Sequence, residues 1–362
     1  MEDLTQDIIF ALLIGGVIAL DLLAALYILL RRGNAFVSGI EPPLRLRRWT
    51  AAFFAVVALG HVYWVYVAFH YSQTADVIGV LLDVMYLIIT FSGIMLSMLQ
   101  DRKRRIWPVL VSMVPLPVLV VLSIVLEDPE LLTPAYIYFF CLLVLFSTYM
   151  VFAILRYGRW LRNNFADLEH KEFWRSILVL AVLLLAMLLY SKTDDANVFY
   201  AYALQAVNIL IVGLLLWRVE TLQKLDDSNT VKEEPSQDEE EPVPLQEVPD
   251  VIGSQLKKYC EDTLLFLQYD LTLAQLAQAI GTNRSYLSQY FSRHGLTYNA
   301  YINGLRVEHF IRLYQEAVSS HRAFTANQLS GESGFSSYST FSAAFKQKMG
   351  KTVSAWMSGA SE

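Results

Sequence analysis

The chain has 362 residues, of which 55% are hydrophobic and 17% charged, and its formal net charge is −6 at pH 7. Soluble globular proteins usually carry about 25% charged residues, so the composition excludes an ordinary soluble protein along the whole length. The apolar excess lies in residues 1–217, and the length favours at least two domains. Two cysteines, Cys141 and Cys260, exclude a thiolate zinc cluster, and the acidic leader before the first apolar run predicts no cleaved signal peptide.

Seven apolar runs in this first part each have roughly the 20 residues that cross a bilayer. They cover residues 8–30, 49–70, 77–99, 106–126, 135–155, 174–191 and 197–217. The fourth run contains Pro108, Pro115 and Pro117, which predict a kinked membrane helix. Buried helices of a large soluble protein are the alternative interpretation, and the run lengths argue against it.

Basic residues alternate along the loops between these runs. The loops after the first, third and fifth runs are rich in arginine and lysine, whereas the loops between them contain a single lysine, Lys192. Basic loops stay in the cytoplasm, so seven crossings put the N-terminus outside and the C-terminus inside. The sequence therefore predicts a multi-pass protein of the bacterial inner (cytoplasmic) membrane, with the lipid bilayer around residues 1–220.

Five polar side chains interrupt the apolar runs: Asp21, His61, Asp83, Gln205 and Asn208. Such groups are costly in lipid, which makes them candidates for sensing a signal. Interhelical hydrogen bonds that fix the bundle are the alternative interpretation. The short loops leave little room for an external sensing domain, so the expected stimulus is a lipophilic ligand, a change in the bilayer or a membrane partner.

Residues 221–250 are acidic, contain prolines and have few large apolar side chains, which predicts a disordered linker. The linker is either a solvated spacer or a brake that competes for a basic surface. From residue 251 onward basic side chains outnumber acidic ones, and a polyanionic partner suits that balance.

Residues 271–291 carry two short helical patterns separated by a glycine. Leu273, Leu276 and Ile280 follow helical spacing, Gly281 supplies a turn, and Asn283 is a good N-cap for the next helix. This arrangement predicts a helix-turn-helix. The solvent face of its second helix presents polar candidates for base contacts, namely Arg284, Ser285, Ser288 and Gln289.

A related pattern recurs about fifty residues later, with Gly334 at the turn and a second recognition helix that starts near Ser337. This helix would expose Tyr338, Ser339 and Ala343. Residues 298–318 predict a long amphipathic helix between the two motifs. A rigid connector would allow the recognition helices to enter successive major grooves, about 34 Å apart.

The last hundred or so residues resemble the DNA-binding domain of the AraC/XylS family of transcription regulators. The matching stretches read LAQAIGTNRSYLSQYF, YINGLRVE and GFSSYSTFSAAFKQKMGKT. The base-reading positions that the resemblance implies are Ser285, Ser288 and Gln289 in the first motif and Tyr338, Ser339 and Ala343 in the second. Departures at Ser330, Ser333 and Val353 predict that the second motif has a weaker core and positions the domain more than it reads sequence.

Six basic side chains of this region are candidates for phosphate contacts: Arg293, Arg306, Arg322, Lys346, Lys348 and Lys351. The alternative for each is a solvated surface charge. For Arg306 a pairing with Glu308 or Asp270 inside the domain is a further alternative.

The sequence thus predicts an all-α protein with a seven-helix membrane domain (1–220), a linker (221–250) and an AraC-like domain with two helix-turn-helix motifs (251–362). The expected function is a one-component transcription regulator that binds double-stranded promoter DNA, with a homodimer and RNA polymerase as further expected partners. The alternative is a membrane receptor or transporter whose C-terminal domain binds a protein. No nucleophile–base pair, metal cluster or phosphate loop is recognisable, so neither an enzyme nor a bound metal or cofactor is expected.

Overall fold

The computed structural model describes residues 2–31, 41–169, 171, 198–225 and 248–359. The described residues form helices and no strand, and a single isolated backbone bridge joins Phe165 to Thr272. The predicted all-α fold class is confirmed. The chain divides into two compact units, one of Met1–Leu155 with His170–Asp226, the other of Arg156–Glu169 with Asp227–Glu362.

The first unit contains the apolar helices. They are α1 (Glu2–Leu30), α2 (Leu44–Phe69), α3 (Gln73–Met98), α4 (Trp107–Met113), α5 (Pro115–Val125), the first part of α6 (Leu132–Asn164) and α7 (Val198–Thr221). Six segments of the described chain are long and apolar enough to cross a membrane, and they coincide with six of the seven predicted runs. The remaining run, 174–191, lies outside the described residues.

Two helix boundaries in this unit bear on the predictions from sequence. α4 ends at Met113 and α5 begins at Pro115, because a proline ring removes one backbone donor and clashes with the preceding turn. The helix is therefore interrupted at Val114, beside two of the prolines on which the predicted kink was based. The fifth predicted run ended at residue 155, whereas α6 continues to Asn164 through a polar stretch that contains Arg156, Arg159 and Arg162. Those arginines lie on a helix and not, as predicted, in a loop.

Close packing of α2 and α3 depends on small residues. A Cβ atom at Gly79 would lie 2.7 Å from the Tyr63 ring, and one at Gly93 would overlap the Trp49 indole. Glycines at such crossings let two membrane helices approach. On the outside of the unit large apolar side chains are exposed, such as Leu12 (71%) and Phe69 (81%), as expected of a surface that contacts lipid.

The second unit contains the remaining short helices around one long helix. They are α8 (Val248–Leu256), α9 (Leu273–Ala279), α10 (Arg284–Arg293), α11 (Tyr298–Ser319), α12 (Ala326–Glu332), α13 (Tyr338–Met349) and α14 (Val353–Gly359). α8 begins inside the predicted linker, whose residues 226–247 lie outside the described part of the chain. α11 coincides with the predicted connector.

Two hydrophobic cores share α11. Ile302, near its start, packs with Leu276, Leu287 and Phe291 in the first core. Phe310, about two turns further along, packs in the second core with a cluster that includes Leu329, Phe341 and Phe345. One helix therefore fixes the two helix-turn-helix motifs relative to each other.

Candidate nucleic-acid interface

The first helix-turn-helix consists of α9 and α10. Thr272 caps α9 in a reciprocal pair with Gln275, and Gly281 has a φ of +73°, which places it in the left-handed region that glycine tolerates. The Asn283 side chain accepts a hydrogen bond from the backbone N–H of Tyr286 at 2.8 Å and so caps α10. Both the predicted turn and the predicted cap are confirmed.

The second helix-turn-helix consists of α12 and α13. Gly334 has a φ of +86°, and a Cβ there would lie 2.7 Å from the Leu267 backbone. Ser337 caps α13 by accepting from the Thr340 N–H at 3.3 Å, at the predicted helix start. Ser330 and Ser333, the departures from the family pattern, are buried, and each hydroxyl donates to a carbonyl of its own helix at 2.6–2.7 Å. Both buried hydroxyls are therefore satisfied.

Most of the predicted base-reading side chains lie on the outer faces of α10 and α13. Five of them are exposed: Ser285, Gln289, Tyr338, Ser339 and Ala343. Ser288 is half-buried. Arg284 is also half-buried, because its guanidinium donates to the Asn164 side chain. Their role in reading DNA stays a prediction.

Arg306 does not lie where a phosphate could reach it. The side chain is 0% exposed, and its guanidinium donates to the backbone carbonyls of Phe266 (2.8 Å), Gln268 (2.7 Å) and Tyr269 (3.2 Å). Burial lowers its pKa, although a guanidinium stays charged at neutral pH. The predicted phosphate contact is wrong for Arg306, which instead holds the turn between the π-helical residues Lys257–Glu261 and α9.

The other five basic candidates divide into two groups. Lys348 pairs with Glu308 at 2.6 Å, and Arg322 pairs with Glu332 at 3.3 Å. The remaining three are exposed and have no side-chain partner among the described residues: Arg293, Lys346 and Lys351. Among the predicted phosphate contacts, these three side chains are the most readily available.

A short stretch far away in sequence also belongs to this unit. We call residues 164–169, at the end of α6 and just beyond it, the bridging segment. Its Ala166 is 0% exposed inside the first core, and the Ala166 carbonyl accepts from Asn299 (2.6 Å) and Asn303 (3.2 Å). The sequence analysis missed these residues, because it assigned them to the membrane domain. The available signal was a group of three acidic residues, Asp167, Glu169 and Glu172, in a stretch that was otherwise rich in arginine.

The bridging segment contacts the starts of both recognition helices. At α10 the Asn164 Oδ1 accepts from Arg284 Nε at 2.9 Å and Nη2 at 2.6 Å. Removal from solvent lowers the pKa of Arg284. At α13 the Asp167 carboxylate accepts from the Ser336 hydroxyl, and that of Glu169 accepts from the Thr340 hydroxyl at 3.5 Å.

The polar candidates of the membrane unit form interhelical pairs. Asn208 of α7 donates to the fully buried Asp21 of α1 at 3.0 Å, and His61 of α2 lies 3.0 Å from the Gln205 side chain of α7. Asp83 of α3 accepts from two neighbours, Trp64 Nε1 at 2.6 Å and the Tyr86 hydroxyl at 2.5 Å. The structure thus joins four of the five candidates in two pairs that both include a side chain of α7, and Asp83 pairs with neither. It supplies the hydrogen bonds of the alternative interpretation, and a sensing role remains a prediction.

Comparison with known protein families gives a match in the C-terminal part of the chain. Residues 276–359 match the family model described as "Helix-turn-helix domain". No curated protein and no solved structure shows significant similarity to the chain. The matched region spans α10 to α14 and most of α9, so the match covers both capped motifs and the helix between them. The match and the geometry together support a DNA-binding domain of the AraC type, as found in transcription regulators.

Proposed function

We propose that this protein is a membrane-bound one-component transcription regulator that binds promoter DNA and responds to a signal sensed in or near the membrane. The observation that carries the proposal is the presence, in one chain, of two capped helix-turn-helix motifs on a shared helix and six helices apolar enough to span a bilayer. A regulator of this kind needs no separate sensor protein, since one polypeptide holds both parts.

The DNA contacts divide between the two motifs. α10 and α13 offer base-reading side chains on their exposed faces, while Arg293, Lys346 and Lys351 offer charge to the phosphates. Phosphate contacts provide affinity, and base-edge contacts provide sequence preference. A homodimer would add a second pair of motifs and raise affinity through effective concentration. Contact with RNA polymerase would then follow from binding near a promoter.

The orientation in the membrane is supported by contacts within the first unit. α1 and α7 run parallel, because Phe10 contacts Tyr202, Asp21 contacts Asn208 and Tyr27 contacts Glu220 in the same order along both helices. In a bundle whose helices alternate in direction, two parallel helices have an odd number of crossings between them. If α1 is the first and α7 the last of the seven predicted crossings, five lie between them, which satisfies this condition. The basic loops then predict that the C-terminal domain lies in the cytoplasm of a bacterial cell.

The segment just before α2 and the segments just after α3 and α7 also meet at one end of the first unit. Gln100, just after α3, donates to the Gln223 carbonyl at 3.0 Å and accepts from the Leu225 N–H at 2.9 Å. The Lys224 N–H donates to the Glu41 carbonyl at 2.7 Å. These contacts support a common cytoplasmic side for the three segments. The signal would then be a lipophilic ligand, a membrane partner or a change in the bilayer that alters the polar pairs on α7.

The test is DNA binding by the full-length protein in lipid nanodiscs. Fluorescence anisotropy with a labelled 30-base-pair random duplex should show an affinity that falls with salt, with a slope of about −0.9 per phosphate contact in log K against log salt. Changing Lys346 and Lys351 to Gln should reduce that slope by roughly two units. The matched control changes the exposed Lys257 and Lys258 to Gln and should leave the slope nearly unchanged.

A slope near zero would contradict the proposal. It would favour the alternative of a membrane receptor or transporter whose C-terminal domain binds a protein partner, since such an interface does not release the counterions of a nucleic acid.

A further inference from the structure

The bridging segment contacts residues at and beside the positions predicted to bind DNA, and the inference drawn from these contacts deepens the proposed function, on which it rests. The segment contacts the first motif through Arg284, the connector through Asn299 and Asn303, and the second motif through Ser336. Five peptide steps reach at most about 18 Å, so a short length of chain bridges the N-terminal ends of both recognition helices.

The first conflict with DNA is at α10. Arg284 is the cationic member of the predicted base-reading set, and both of its bonded nitrogens donate to one acceptor, Asn164 Oδ1. A guanidinium reads guanine by donating two N–H groups to two base-edge acceptors, N7 and O6. The two N–H groups that Arg284 donates to Asn164 are withdrawn from any base, so DNA would compete with Asn164 for them.

The second conflict is at α13. Helix N-termini and nearby hydroxyls are common phosphate-binding groups in DNA complexes. Here the hydroxyls of Ser336 and Thr340, on either side of the Ser337 cap, donate to the carboxylates of Asp167 and Glu169. Asp167 is only 5% exposed, so its charge is held against the domain and not in solvent. Two anionic groups therefore lie where phosphates would be expected, and they would repel a DNA backbone.

We propose that the bridging segment is an autoinhibitory element that mimics DNA phosphate and holds the two motifs closed to DNA until it is withdrawn. The segment follows directly from α6, which is one continuous helix from Leu132 to Asn164. A movement of α6 along its axis would pull on Asn164 first. The signal therefore acts by shifting the balance between a docked and a released segment, and apparent DNA affinity scales with the released fraction.

A reversible crosslink tests the proposal in the full-length protein in nanodiscs. Asp167→Cys and Ser336→Cys place two thiols at a hydrogen-bonded pair, in a background where Cys141 is changed to Ser and Cys260 stays buried. Oxidation should lock the segment, which a mobility shift on a non-reducing gel verifies, and reduction should release it. With the random duplex as probe, the locked protein should bind at least ten-fold more weakly than the reduced protein. Each single cysteine variant should bind equally in both states.

A second pair of variants separates release of the segment from a simple change of charge. The variant D167N/E169Q should bind the duplex roughly ten-fold more tightly than the parent. The control D262N/E316Q removes the same charge at two exposed positions outside the segment and should change affinity less than three-fold.

Each outcome has a definite meaning. If the thiols do not crosslink, the docked contact is absent and the proposal is overturned. Equal DNA affinity in the locked and reduced states, or tighter binding when locked, would also overturn it, the latter because the segment would then align the motifs. A reduced protein that binds no DNA would instead overturn the proposed function, and the inference with it.

Discussion

Replacing Arg306 distinguishes a structural role of this side chain from a role in DNA binding. The guanidinium donates to three backbone carbonyls from a fully buried position on α11. Arg306→Met keeps an unbranched side chain of similar length and removes all of these bonds. We expect the turn at residues 266–269 to lose its anchor, with a large loss of stability.

The size of the loss follows from the three acceptors. A hydrogen bond to a charged group contributes about 1.5–3 kcal/mol. The Phe266 residue is buried, so its carbonyl would be left without a donor, whereas Gln268 and Tyr269 are exposed and water can replace the lost partner. Counting the first bond in full and the others in part gives about 3 kcal/mol, or roughly a 100-fold change in the unfolding equilibrium.

The assay is hydrogen exchange by mass spectrometry on the nanodisc-embedded protein. Amides in residues 265–271 should exchange roughly 100-fold faster in Arg306→Met, and Arg306→Lys should fall between this variant and the parent, because one ammonium cannot reproduce the planar fork. Arg312→Met is the matched control, since Arg312 is exposed on the same helix. If Arg306→Met kept parental exchange rates and lost only DNA affinity, the side chain would be a phosphate contact and the structural reasoning would be refuted.

Three further predictions concern glycine, the membrane pair and the buried thiol. Gly334→Ala should lower the free energy of unfolding by about 3 kcal/mol, whereas Gly281→Ala, whose Cβ meets open space, should lower it by only about 1 kcal/mol. Thermal unfolding midpoints distinguish the two variants, and equal shifts would contradict the close approach at Gly334. Asn208→Leu removes the hydrogen-bond donor to Asp21 and should lower the stability of the detergent-solubilised bundle by about 1–2 kcal/mol. The measurement is the aggregation temperature, and an unchanged value would show that the pair contributes nothing. Burial raises the pKa of Cys260 from 9.0 to about 12, so native protein with Cys141 changed to Ser should react with iodoacetamide at pH 8 roughly 1,000-fold more slowly than unfolded protein. The same shift stabilises the fold fully below pH 9 and progressively less as pH rises toward 12, because only the unfolded state releases the proton in that window.

Features that depend on neighbours in sequence could be predicted. Asn283 and Ser337 cap their helices because the accepting side chain and the donating N–H are three residues apart. Gly281 and Gly334 adopt a positive φ because the chain turns sharply after a helix at each position, and that turn requires the left-handed conformation. The lengths of the apolar runs are set by bilayer thickness, which explains why six of them coincide with helices.

Features that depend on partners far away in the chain could not be predicted from the sequence. The acceptors of Arg306 lie 37–40 residues away, although Ile302 and Phe310, one turn on either side, already placed it on the buried face of α11. Arg284 and Asn164 are 120 residues apart, and no periodicity connects them. Helical spacing shows which face of a helix is buried, but it does not show which remote segment covers that face.

The insertion of Ala166 into the first core has a consequence for how the protein is made. The fold of the second unit is discontinuous along the chain, since 57 residues are synthesised between Glu169, where its first piece ends, and Asp227, where its second piece begins. At roughly 5–20 residues per second, that piece waits several seconds or longer while α7 is translated. The second unit is therefore completed only after α7 has been synthesised. A nascent chain stalled before residue 248 would hold Ala166 without the core residues that surround it. In a membrane-bound protein, this order of synthesis would put the insertion of the last apolar helix before the completion of the C-terminal domain.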